Sequence, residues 1–352
     1  MKQISLNLKA TLDPHIFEKN FRRLFVSGRI SDYDLDRRII RLSRLFKVFA
    51  TTCHLPLWTR GLIVTNEISR VTDNYLEFSS IRSSLLCLVK KSLQGICVPP
   101  PLLSKADWWV ELLDMLKLQN EFANPATLVM HLAENSSERL KFLFSLYLPE
   151  QFGGSFGRYP GQLMFIRHWL KAQYSDWSGP ISCLDAACGS GEGSYELAGL
   201  LMDSGFDSSR IRITGVTLNP LEVFAAAHAY FPHNPKRELQ YRECVKSLVG
   251  IGPFPQINFQ TADLQDWETL ERYKIVICNG ILGGPLIHEN KVVENVILRL
   301  VGSMHAGGVL LAADRFHGGW KKVFPKEHLE TLFKECGLEL LPVSEGVAGL
   351  CR

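Results

Sequence analysis

Three glycines spaced two residues apart, Gly189, Gly191 and Gly193, follow the apolar run Ile181-Ser182-Cys183-Leu184-Asp185-Ala186 and precede a helix-period segment over 195–202. A run of that kind, a glycine turn and a helix form a strand-loop-helix unit, which puts the loop at the carboxyl end of a strand, where α/β sheets bind ligands. Glycine is suited to such a loop because a side chain would keep a ligand away from the backbone, and because a sharp strand-to-helix turn often needs positive φ. Two common phosphate loops do not fit. No Gly-Lys-Ser/Thr follows, as a P-loop requires. The spacing is GxGxG rather than the GxGxxG of a dinucleotide site, which also expects an acidic residue at the end of the next strand, where this chain has Thr217.

Beyond residue 180, short apolar runs at 211–216, 257–261, 275–278 and 309–313 alternate with amphipathic segments. That alternation predicts a parallel sheet covered by helices on both faces, an α/β fold. A helix over 326–336 and strands over 338–343 and 347–351 are expected to close the chain with a hairpin. Before residue 150 the period is helical, as in Leu35, Ile39, Ile40, Leu42, Leu45, Phe46 and Phe49. The expected organisation is therefore a helical amino-terminal domain over 1–150 and a ligand-binding α/β domain over 151–352. Pro99, Pro100 and Pro101 end one helix before another begins at 106–118, which makes 99–101 a candidate seam.

A formal charge of +3 over 352 residues does not demand a nucleic-acid partner. Nine cysteines, an odd total with no CxxC pair, argue against a disulfide framework and a zinc site, so no metal is expected. The first residues lack the apolar core of a signal peptide, and no apolar run is long enough to cross a bilayer. A soluble, cytoplasmic protein is expected, with no membrane partner. The cations are concentrated early: Arg22, Arg23, Arg29, Arg37, Arg38, Arg41, Arg44 and Lys47 contribute to an excess of about eight positive charges in the first hundred residues. Interleaved Asp32, Asp34 and Asp36 can pair with them at helical spacing. Nucleic acid is a poor fit, since Phe21, Phe25, Phe46 and Phe49 follow a core period rather than an exposed one.

The segment Leu184-Asp185-Ala186-Ala187-Cys188-Gly189-Ser190-Gly191-Glu192 resembles the first motif of class I S-adenosylmethionine-dependent methyltransferases, over roughly residues 150–352. The resemblance implies a Rossmann-like sheet and S-adenosylmethionine as cofactor, its methionine part wrapped by Asp185, Ala187, Gly189, Gly191 and Glu192. Phe259-Gln260-Thr261-Ala262-Asp263-Leu264 is similar to the strand end whose acidic residue bonds the adenine amino group, which brings in Asp263 and Leu264. Thr217 and Leu218 close the preceding strand, and Asn279 follows the next.

A narrower resemblance is to the chemotaxis receptor methyltransferases, the CheR-like type. It rests on 186–195 and on Gly154-Ser155-Phe156-Gly157-Arg158-Tyr159-Pro160, similar to a segment that precedes the catalytic domain and turns an arginine, here Arg158, toward the cofactor. In that family a basic helical domain helps bind an acidic partner, so the resemblance implies an acidic protein partner of the amino-terminal helices, the alternative being a solvated helix face on which Asp32, Asp34 and Asp36 pair with the arginines. Departures lie elsewhere. Thr217 stands where an acidic residue would hold the ribose hydroxyls, and Asn219 is the candidate substitute. Cys278-Asn279-Gly280-Ile281-Leu282-Gly283-Gly284-Pro285 lacks the arginine and tyrosine expected around the methyl-transfer site, leaving room for a larger or different acceptor. Only about twenty-five residues, 233–257, stand where the receptor-tethering strands would be inserted, and 324–340 is closer to small-molecule methyltransferases.

Methyl transfer from a sulfonium is an in-line displacement, for which alignment is the main requirement. A hydroxyl or amine acceptor would need a base, for which His288, Glu289, Asp314 and His317 lie near predicted strand ends. Catalytic residues stay unassigned, Cys188 reads as a small packing residue, and no oligomeric state is specified. Three functions compete: a methyltransferase acting on a protein carboxylate or a small molecule, a catalytically inactive regulatory protein of the same fold, and a nucleotide-binding oxidoreductase, which has no need for both the glycine motif and Asp263.

Overall fold

The computed structural model describes residues 5–54, 57, 63–95, 98–118, 122–149, 154–173, 179–249, 254–284, 286–313 and 322–352. The chain forms two compact units, one of Asp13–Gly153 with Phe231–Pro235, the other of Ser5–Leu12, Gly154–Tyr230 and Lys236–Arg352.

The first unit is helical: α1 (Pro14–Leu24), α2 (Tyr33–Thr52), α3 (Asn66–Asp73), α4 (Phe78–Ser92), α5 (Pro101–Lys105), α6 (Trp109–Met115), α7 (Pro125–Glu134) and α8 (Ser136–Tyr147). Short polar side chains start several of them. Asp13 accepts the His15 amide at 2.8 Å, Asp32 the Leu35 amide at 3.1 Å, and Asn135 the Ser137 and Glu138 amides at 3.1 Å. The proline run sits inside this unit, where Pro101 opens α5. Arg139, 2% exposed, spends its guanidinium on the carbonyls of Val26, Gly28, Leu132 and Ala133. Part of the basic helix is paired within the unit, Arg38 to Asp34 at 3.0 Å and Arg41 to Glu77 at 3.7 Å.

The second unit is built on one eight-stranded sheet of β1 (Asn7–Lys9), β2 (Ile181–Asp185), β3 (Ile211–Thr217), β4 (Gln256–Thr261), β5 (Tyr273–Ile277), β6 (Met304–Ala312), β7 (Leu338–Leu341) and β8 (Val347–Cys351). Their spatial order is β1-β4-β3-β2-β5-β6-β8-β7. The five strands from β4 to β6 are mutually parallel, β8 runs antiparallel between β6 and β7, and β1 is an antiparallel edge on β4. This is the Rossmann-like α/β arrangement expected from the sequence. The chain moves outward from β2 through β3 to β4, then returns to the other side of β2 for β5, so the order reverses at β2, the place where open α/β sheets bind ligands.

The helices α9 (Pro160–Gln173), α10 (Glu192–Asp203), α11 (Pro220–His228), α12 (Pro235–Val249), α13 (Asn290–Gly302) and α14 (Lys326–Glu335) accompany the strands. On one face Leu184, Val216, Val276 and Leu310 pack with Val293, Val296, Ile297 and Leu300 of α13 and Leu332 and Phe333 of α14. On the other, Phe259 lies over Gly215, whose added Cβ would stand 2.6 Å from the ring, and Tyr195 lies 5.7 Å from Phe259.

One stretch departs from the helical expectation for the first part of the chain. Residues 5–12 join the sheet of the second unit, with the Leu6 amide on Thr261 Oγ1, the Thr261 amide on the Leu6 carbonyl and the Ala10 amide on the Ile257 carbonyl, each at 2.9 Å. Among the described residues no helix is long and apolar enough to cross a membrane.

Candidate functional site

The loop after β2 is laced to the neighbouring strand ends by the backbone. The Ala186 amide bonds the Ile277 carbonyl at 2.7 Å, the Cys188 amide the Val216 carbonyl at 3.0 Å, and the Ala262 amide the Thr217 carbonyl at 3.0 Å. Four loops are thereby brought to one edge of the sheet. Asp185 ends β2 and is 5% exposed. It accepts the Ser194 hydroxyl at 2.7 Å and the half-buried Ala187 amide, yet burial still pushes its carboxyl up to about 6, with the Glu192 and Glu196 charges adding to the rise.

Gly189 and Gly191 both have positive φ, +51° and +91°. Their surroundings differ. An added Cβ at Gly191 would meet Ala226 Cβ and the Tyr241 hydroxyl at 2.8 Å and Phe259 at 2.9 Å, while at Gly189 it would meet nothing within 4 Å. Gly191 is needed for packing, and Gly189 faces open space, the feature a ligand-receiving loop requires. Glu192 opens α10 and is 4% exposed, its carboxylate engaged by Arg237 and, at 2.8 Å, by the Ser190 hydroxyl.

At the end of β3 the half-buried Thr217 hydroxyl donates to Glu222 and accepts the Asn219 amide at 3.2 Å. Asn219 caps α11 by accepting the Leu221 amide at 3.0 Å. Its side chain also bonds Glu222, so the proposed ribose substitute serves the helix start and the carboxylate beside it. Glu222 is a candidate site residue that sequence reasoning missed. Burial pushes its carboxyl up to about 7, against the lowering effect of the Thr217 hydrogen bond. The available signal was a glutamate one helical turn beyond an Asn-Pro helix start.

At the end of β4, Asp263 is half-buried and accepts the Gln265 amide on Oδ1 at 2.9 Å. Leu218 is 50% exposed at the end of β3, whereas Leu264, 6% exposed, belongs to the core with Leu184 and Val216. Two of the expected ligand contacts, Glu192 and Leu264, thus point their side chains inward.

The end of β5 is made of amides. Asn279 Oδ1 accepts the Ala313 amide at 2.8 Å and Gln162 Nε2 at 3.1 Å, and its Nδ2 donates to Gln162 Oε1 at 2.7 Å. The segment before α9 reaches this end of the sheet: Gly161 donates its amide to Glu345 at 2.9 Å, Gly157 donates to Glu196, and Phe156 lies 5.4 Å from the Tyr241 ring. Arg158 is half-buried with its guanidinium 5.9 Å from the centre of the Tyr159 ring. His288 and Glu289 are exposed just before α13. Gly153, Pro285, Asp314 and His317 lie outside the described residues. Cys188 is 7% exposed, and burial together with the Asp185, Glu222 and Glu192 charges raises its thiol well above the usual range, so it stays a neutral packing group.

No protein-family model and no curated protein matches the chain. Solved structures do align with it. The N-methyltransferase NodS of Bradyrhizobium japonicum, in complex with S-adenosyl-L-homocysteine, aligns at 13% identity over 62% of this chain and 100% of that one, with a TM-score of 0.37. A sugar N-methyltransferase from Streptoalloteichus aligns at 16% identity over 56% of this chain and 89% of that one, with a TM-score of 0.37. An amino pentose methyltransferase from Micromonospora echinaspora aligns at 14% identity over 47% of this chain, with a TM-score of 0.30, and this chain spans only 53% of its length. None of the three is described as a chemotaxis receptor enzyme.

Proposed function

We propose that the second unit binds S-adenosylmethionine along the ends of β2, β3 and β4 and transfers its methyl group to an acceptor at the end of β5. The observation that carries this reading is the set of three carboxylates, Asp185, Glu222 and Asp263, at adjacent strand ends beside a glycine loop that is open at Gly189. The residues fit the cofactor. The backbone from Ala187 to Gly191 would receive the methionine part, Glu222 with Thr217 would accept hydrogen bonds from the ribose hydroxyls, and Asp263 has an oxygen left for the adenine amino group. When bound, the cofactor supplies an electrophilic methyl group.

Among the described residues only Gln162 and the Ala313 amide bond the Asn279 side chain. A neutral end of this kind suits an acceptor that arrives as its own nucleophile, since displacement then needs alignment rather than proton removal. We assign the acceptor to a protein carboxylate or a small molecule and the protein to the cytoplasm. The chemotaxis-type relationship enters through the Arg158 segment. The test is calorimetric titration of the full chain with S-adenosylmethionine and S-adenosylhomocysteine, followed by release of labelled methyl to protein and metabolite pools. Micromolar binding with turnover is expected, and no heat at millimolar ligand would sink the reading. Binding without turnover on either pool would favour a regulatory protein of the same fold, a second reading supported by the way Gln162 occupies both ends of the Asn279 amide.

A further inference from the structure

Glu192 creates a conflict at the mouth of the site. It is the first residue of α10, where the partial positive charge of a helix start favours a carboxylate. The same field is what would draw the carboxylate at the methionine end of the proposed cofactor. Two negative groups competing for one helix start repel each other, most strongly where water is excluded. A buried carboxylate also carries a large desolvation cost unless it is paired.

Arg237, two residues into α12, answers both problems. Its side chain is 14% exposed, its Nε lies 3.1 Å from Glu192 Oε1, and its Nη2 bonds the same oxygen and, at 2.5 Å, Ser190 Oγ. With Ser190 Oγ on Oε2, both oxygens of Glu192 are engaged within the protein. One turn further along the same face of α12, Tyr241 donates its hydroxyl to the Ser190 carbonyl at 2.5 Å. On the other flank Gly154 abuts the guanidinium, where an added Cβ would collide with it and stand 2.9 Å from Ser190 Oγ. The turn is therefore held from α12, which no loop motif announces.

We infer, resting on the cofactor reading above, that Arg237 is a positioning residue: it neutralises Glu192 so that the start of α10 can receive a ligand carboxylate, and with Tyr241 it braces the turn. Removing it leaves a bare negative charge beside that subsite. A ligand with a carboxylate must then suffer more than one without.

The experiment titrates the full chain, Glu192→Gln, Arg237→Gln and the double variant with S-adenosylhomocysteine and with 5′-methylthioadenosine, which keeps the nucleoside thioether but lacks the amino-acid end, its ammonium as well as its carboxylate. Arg237→Gln is expected to weaken the first ligand about tenfold more than the second. The double variant is expected to return that ratio to within about threefold of the starting protein. Equal loss for both ligands, or no recovery in the double variant, would overturn the inference. If Arg237→Gln does not fold, Glu192→Gln decides, because leaving the cation unopposed should raise the ratio in favour of the carboxylate ligand, and an unchanged or lower ratio refutes the idea. Failure of the starting protein to bind either ligand overturns the functional reading and this inference together. Binding with ratios that never move overturns this inference alone.

Discussion

The ends of β2 and β3 differ from the end of β5 in how each satisfies its polar groups. At β2 and β3 the groups are ionisable: Asp185 with Ser194 and the Ala187 amide, Glu222 with Thr217 and Asn219. At β5 they are two neutral amides, Asn279 and Gln162, closed on each other. A buried carboxylate is retained at a desolvation cost and carries a directional charge, whereas an amide pair is satisfied internally and presents none. The comparison teaches where charge is used: on the proposed donor side and not on the acceptor side.

The largest test of that contrast is Asp185→Ala. It leaves the buried Ser194 hydroxyl without an acceptor, a cost of about 1–3 kcal/mol, and the half-buried Ala187 amide, which water can reach, at a smaller one. S-adenosylhomocysteine affinity should fall by about a hundredfold or more by calorimetry. Asp185→Asn, which keeps one acceptor oxygen, should unfold at a higher denaturant concentration than the alanine variant. Next comes a pair of glycines. Gly191→Ala combines positive φ with contacts at 2.8 and 2.9 Å and should destabilise the chain by about 2–3 kcal/mol in urea. Gly189→Ala has only the backbone cost, about 1 kcal/mol, so its larger effect should be on ligand binding. Equal loss of stability in the two variants would remove the assigned division between packing and ligand-facing glycines.

Much of this arrangement was legible in the sequence, because parallel buried strands read as short apolar runs. The runs at 181–186, 211–216 and 257–261 differ from β2, β3 and β4 by one residue at an end. The glycine loop was visible for the same reason, as punctuation between a strand and a helix. β1 was not, although Leu6 and Leu8 alternate with polar neighbours, because a three-residue edge strand takes its order from pairing with β4, some 250 residues away. Glu222 and Arg237 were hidden differently. Glu222 joins the site through a local bond to Thr217, five residues earlier, and only its place one turn into the Asn219-Pro220 helix start marks it. Arg237 does so through a tertiary bond to Glu192, 45 residues back, which leaves no spacing in the chain.

The carboxylates of the donor side make pH the next probe. Burial holds Glu222 at about 7 and Asp185 at about 6, both above their ordinary values of 4.5 and 3.8. A carboxyl raised on folding binds its proton more tightly in the native state, so its contribution to stability is present below its ordinary value and lost as pH rises through the native one. These two groups should therefore lower stability between pH 4 and 7 and leave it flat above. Ligand binding should run the other way, since ribose hydroxyls need the ionised Glu222 as acceptor. Affinity for S-adenosylhomocysteine should rise about tenfold from pH 6 to pH 8, and Glu222→Gln should flatten the profile. A tenfold rise that persists in Glu222→Gln would move the titrating group elsewhere.

The smallest effect is expected at the neutral end. Gln162→Leu keeps a buried side chain of similar bulk at a position 1% exposed but removes both hydrogen bonds to Asn279. Asn279 is only half-buried and keeps the Ala313 amide on Oδ1, so water can reach its freed Nδ2 and the cost should stay near the low end, about 1 kcal/mol. If the donor and acceptor sides are separate, S-adenosylhomocysteine affinity should change by less than about threefold while methyl transfer, where it is measured, declines. Loss of affinity matching that of Asp185→Ala would instead mean that the amide pair belongs to the donor side, and the division between charged and neutral strand ends would no longer describe two subsites.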